Sequence, residues 1–72
     1  MADITNTQHE MAYSDSLEAV ATGLTRDETF TALLDAFPSL EAAALREEMD
    51  GAFHDALRTG VEPEDVDGSW FA

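Results

Sequence analysis

Residues 25–58, TRDETFTALLDAFPSLEAAALREEMDGAFHDALR, hold two helix-start signals, one helix-stopping proline and most of the large apolar side chains of the chain. Thr25 and Glu28 have the T-x-x-E spacing of a capping box, in which hydroxyl and carboxylate each satisfy an amide of the first turn. Asp27 and Glu28 also face the positive end of the helix dipole there. Phe30, Leu33, Leu34 and Phe37 follow at i, i+3, i+4 and i+7, and Pro38 disfavours helical geometry at Phe37. This predicts a helix from Arg26 to about Ala36. Ser39 then stands where it could cap a helix running from Leu40 to about Arg58. Asp50-Gly51 reads locally as a turn, but the phase opposes a break. At about 100° per residue, Leu45, Met49, Ala52, Phe53, Ala56 and Leu57 share one arc of roughly 140°, so the stripe crosses Gly51 without slipping. Arg58 in the last turn and Gly60 as a left-handed cap end the helix.

Working outward, Asp15 and Glu18 approximate another capping box and place the start of a first, short helix. Its stripe is Leu17, Val20, Ala21 and Leu24, closed by Gly23. Residues 1–12 are polar and show neither helical nor strand periodicity, so they are expected to be a disordered, mobile leader. Residues 62–72 form an acidic C-terminal arm carrying Val66 and the Trp70-Phe71 pair, with Pro63 able to open a single turn. The expected architecture is all-α: leader 1–12, a three-helix, helix-turn-helix-like bundle over 13–61, and an aromatic arm over 62–72.

Composition narrows the function. Sixteen Asp and Glu oppose three Arg with no Lys, a formal net charge of -13 on 72 residues. Such acidity fits either a halophilic-type surface or complementarity to a basic partner. A hydrophobic content of 44% separates the chain from acidic disordered sequences. There is no cysteine, which removes disulfides, thiolate metal sites and a cysteine nucleophile. The N-terminal residues lack the basic and apolar regions of a signal peptide, and no run reaches the roughly 18 apolar residues of a membrane span, so a cytoplasmic location is expected.

The pattern G-L-T-x-[DE]-E, an apolar helix ending in F-P-x-L, and a following helix with R-x-x-x-x-x-A resembles a small prokaryotic family of helix-turn-helix domains found as antitoxins of PIN-domain ribonuclease toxins. The matching residues are Gly23, Leu24, Thr25, Glu28, Leu33, Leu34, Phe37, Pro38, Leu40, Leu45, Arg46, Met49 and Ala52, within Ser16 to Phe53. A fainter similarity links the F-P turn and the Ala56-Leu57 pair to the three-helix CUE domain, which needs a turn near Gly51.

The resemblance implies regulation through a toxin-like protein partner and, in its helix-turn-helix, DNA recognition. Arg46 is the residue of the third helix suited to phosphate, yet it is flanked by Glu47 and Glu48, and three arginines make no basic stripe. Direct nucleic-acid binding is therefore not expected. Glu47, Asp50 and His54, with Asp55 beside them, share a helix side, which is also what a solvated acidic face produces. No metal, cofactor or small-molecule substrate is expected, and no catalytic residue is assigned. Trp70, Phe71, Val66 and Asp67 suit a partner-binding arm, aromatic anchors with flanking charge. The alternative for Trp70 and Phe71 is to fold back over the bundle's open end. The expected function is that of a non-catalytic acidic regulator or adaptor, antitoxin-like, binding a protein partner or a second copy of itself. Two other readings are an acidic nucleic-acid mimic that occupies a basic nuclease or effector, and a helix-turn-helix DNA-binding regulator.

Overall fold

In the computed structural model, which describes residues 4–71, the chain is all-α. Helix α1 spans Ile4–Ala21, α2 Arg26–Ala36 and α3 Ala42–Thr59, followed by two 3-10 turns at Pro63–Asp65 and Gly68–Phe71. Helix α1 packs most extensively on α3, and α2 touches both. Cross-links between elements set the directions. Gln8 meets Ser39, His9 meets Glu48 and Tyr13 meets Asp55, so α1 and α3 run in the same sense. Arg26 meets Asp50 and Phe30 meets Arg46, so α2 runs opposite to α3.

Helix α2 has the predicted bounds and the predicted start. Thr25 Oγ1 accepts from the Glu28 amide at 3.0 Å, and Glu28 Oε1 accepts from the Thr25 amide at 3.1 Å. Its Phe37 C-cap is non-helical, as the residue before a proline should be. Helix α3 passes through Gly51 unbroken, with Leu45, Met49, Ala52, Phe53 and Ala56 buried. Gly60 takes the left-handed conformation at φ 119°. The start of α3 differs from expectation: its N-cap is Glu41, without a side-chain cap bond. Ser39 instead donates its hydroxyl to Gln8 Oε1 of α1, a tertiary bond that outcompetes the local cap.

Helix α1 carries the largest correction. Residues 4–12, expected as a mobile leader, are helical, while residues 1–3 lie outside the described part. The Asp15 and Glu18 pair is therefore mid-helix, with both side chains exposed, and caps nothing. The contact face is Ala12, Ser16, Ala19 and Val20, with Leu17 packed partly against the core, whereas Ala21 and Leu24 are exposed. Small residues make this face, so a search for large apolar side chains at helical spacing passes over it. Ser16 is fully buried because its hydroxyl donates to the Ala12 carbonyl of its own helix at 2.8 Å. The end of α1 was legible: Gly23 has φ 84°, and the Leu24 and Gly23 amides donate to Ala19 and Val20 carbonyls at 3.0 and 3.3 Å. These are the two bonds of a Schellman cap.

The core joins Val20, Leu33, Phe37, Leu40, Leu45, Met49 and Phe53 to two residues from beyond the bundle, Val66 and Trp70. No helix among the described residues is long and apolar enough to cross a membrane.

Candidate functional site

The C-terminal arm folds back. Pro63 at the start of the first 3-10 turn fixes the chain direction, and Val66 enters the core at 6% exposure. Asp67 Oδ1 accepts from the Ser69 amide at 2.9 Å, which turns the chain into the second 3-10 segment. The Ser69 hydroxyl and amide together hold the Asp67 carboxyl below its ordinary value of 3.8. Ser69 Oγ accepts from the Arg26 amide at 2.8 Å, satisfying one of the orphan donors at the start of α2. Trp70 is 5% exposed, stacks on Phe53 at 5.9 Å and 20°, and donates its Nε1–H to the Leu24 carbonyl at 2.9 Å. Of the two readings of the arm, Trp70 follows the one in which it folds back over the open end of the bundle, and Val66 is buried with it. A short three-helix core gains more from covering its open end with them than it loses in ordering the arm. Phe71 stays outside at 53% exposure, set edge-on to Phe53 at 5.0 Å and 86°.

The cations are engaged within the molecule. Arg46 lies over the Phe30 ring at 4.8 Å, Arg26 reaches Asp50 at 2.9 Å, and Arg58 pairs with Asp55. Asp55 also accepts from the Tyr13 hydroxyl, while His9 Nδ1 donates to Glu48 at 3.0 Å, so polar pairs line the seam between α1 and α3. The Tyr13 hydrogen bond first, then Arg58, hold the Asp55 carboxyl below its ordinary value; Asp55 in turn raises Tyr13. Glu47, Asp50 and His54 do not converge, and among the described residues no cluster of three metal-ligating side chains is found.

A groove that the sequence reading passed over runs between α1 and α2. It has a volume of about 300 Å³ and a floor of Ala19, Leu24, Ala32, Leu33 and Ala36, with Asp15 and Glu18 at the α1 margin. Across Ala32 it adjoins a second, more open depression bordered by Asp27, Glu28, Thr31 and Asp35. Leu24 is 43% exposed there, its backbone fixed by the Trp70 bond while its side chain faces the groove. The signal was present as Ala32 and Ala36 at i and i+4, next to the apolar stripe of α2, but alanines score too weakly to define a face. No family model, no curated protein and no solved structure matches this chain.

Proposed function

We propose that this chain is a non-catalytic acidic adaptor that acts by binding a protein partner of positive charge. One observation carries the reading. Each of the three arginines has a partner on the protein's own surface, one an aromatic ring and two carboxylates, which leaves the other acidic side chains to present an excess negative field. Such a surface steers basic partners and repels phosphate backbones. The antitoxin resemblance of residues 16–53 fits this chemistry, with a ribonuclease-type toxin as the partner class. The position of exposed Arg46 next to Glu47 and Glu48 weighs against the DNA-binding alternative, since neighbouring carboxylates repel a phosphate backbone.

Co-expression with the product of the adjoining reading frame, followed by size-exclusion chromatography, tests the proposal. A co-eluting complex that dissociates as salt rises is the expected result. Retardation of duplex DNA by the chain alone at low salt, abolished by Arg46→Glu, would instead establish the DNA-binding reading.

A further inference from the structure

We infer that the groove between α1 and α2 is a docking site for an amphipathic helix whose apolar face is flanked by Lys or Arg. The inference rests on the adaptor reading and names its surface. The floor is mainly alanine and leucine, with Thr22 and Thr29 also lining the groove, and small residues let an incoming helix approach closely enough for its own large side chains to fill the depression. Ala32 and Ala36 are exposed although they continue the apolar surface of buried Leu33, so this part of the floor is apolar and uncovered.

Charge selects the occupant. Asp15 and Glu18 stand on one margin, and Asp27, Glu28 and Asp35 surround the adjoining depression, with no basic side chain lining either. Arg26, the nearest cation in sequence, points to Asp50 on α3. A second copy of this chain would bring its own net charge of -13 against these carboxylates, and its three arginines are already engaged, so self-docking here is opposed. A cationic helix satisfies both requirements: apolar residues at i, i+3, i+4 and i+7 enter the groove while flanking ammonium or guanidinium groups meet the margins. Nucleic acid satisfies neither.

The test uses the full chain and two synthetic Leu/Lys peptides of identical composition, one ordered as an amphipathic helix and one scrambled. Amide chemical shifts report the location, and Trp70 emission reports affinity, because its indole is tied to the Leu24 carbonyl at the groove. The ordered peptide is expected to perturb Ala19, Leu24, Ala32 and Ala36 and to bind about tenfold or more tightly than its scrambled twin. Ala32→Arg, which fills the floor with a cation, is expected to weaken binding by about tenfold or more. That variant places an arginine four residues after Glu28 on an exposed helix face, a pairing that supports α2. Leu24→Ser is the second variant; it trims the floor and keeps the carbonyl that Trp70 uses. Replacing Asp15 and Glu18 by Asn and Gln is expected to lower affinity and flatten its salt dependence. Equal binding of the two peptides, shift changes confined to another face, or wild-type affinity in both groove variants would overturn the groove assignment. If basic peptides bind elsewhere on the chain, the groove fails while the adaptor reading stands; if neither peptide binds and no basic partner co-elutes, both fail.

Discussion

Trp70 shows how much a single side chain can hold in a chain this short. Its ring closes the core over Phe53 and its indole N–H reaches the carbonyl of Leu24, 46 residues earlier in the chain. Trp70→Phe keeps the ring and deletes the donor, and the expected loss is about 1 kcal/mol, read as a lower urea midpoint with an unchanged slope. Trp70→Ala removes the ring as well, at a cost of about 3–5 kcal/mol. That is comparable to the entire stability of about 5 kcal/mol at the low end for small domains, so largely lost helical circular dichroism at 25 °C is expected. A Trp70→Ala chain melting like the parent would show that the arm does not pack on the core. Asp55 and Tyr13 make a residue-scale prediction in pH. Asp55 has its folded value below 3.8, so the pair's contribution is present above that value and is lost as pH falls through the folded one. Tyr13 has its folded value above 10.0, so the contribution is present below 10.0 and is lost as pH rises through the folded one. The stability difference between the parent and Asp55→Asn is therefore expected to be flat near neutrality and to shrink at both the acid and the alkaline end. A difference independent of pH at both ends would remove the Tyr13–Asp55 bond from the account. Neither partner choice was legible locally, because the two residues lie on different helices.

At the scale of elements, the glycines divide by backbone geometry. Gly51 sits inside α3, and a Cβ built there meets only the Tyr13 ring at 4.0 Å, an ordinary contact. Gly51→Ala is therefore expected to stabilise the protein by about 0.5–1 kcal/mol, through helix propensity and a less free unfolded chain. Gly60 has φ 119°, a conformation that L side chains rarely adopt, so Gly60→Ala is expected to destabilise by about 1 kcal/mol. Thermal melts of the two variants should move in opposite directions. Both outcomes follow from features visible in the sequence, the continuous stripe through Gly51 and the cap at Gly60. Helix α1 is the contrary case. Its N-terminal half carries no stripe of large apolar residues, and among the described residues of the helix Gln8, His9 and Tyr13 meet Ser39, Glu48 and Asp55, polar groups far along the chain. The Asp15 and Glu18 signal was chemically sound as a cap, but a helix can start earlier when tertiary partners stabilise its first turns. The same shift in α1 placed those two carboxylates along the groove that the sequence reading did not see.

On the scale of the whole molecule, net charge is the dominant global property. A formal charge of -13 over 72 residues opposes compaction, and the three engaged arginines neutralise only local patches. Raising sodium chloride from about 0.1 M to 1 M shortens the screening length from about 10 Å to about 3 Å, which relieves that repulsion. The melting temperature is expected to rise by several degrees, since about 1 kcal/mol corresponds to about 4–8 °C for a domain this size. A melting temperature that falls with salt would mean that the attractive pairs outweigh the repulsion. Binding to a basic helix should change in the opposite direction, weakening as salt rises, so the two measurements separate folding from recognition.

The sequence by itself determined the all-α class, the bounds of α2, the continuity of α3 and the caps at Gly23 and Gly60. These depend on interactions within about one helical turn and on the phase of the apolar stripe. It also determined the sign and size of the charge. Only the tertiary structure decided that residues 4–12 are helical, that Val66 and Trp70 belong to the core, that all three arginines are engaged, and that an acidic-margined groove lies between α1 and α2. Each of those depends on contacts between residues far apart in the chain, where small or polar side chains take their roles from the surface they meet rather than from their neighbours in sequence.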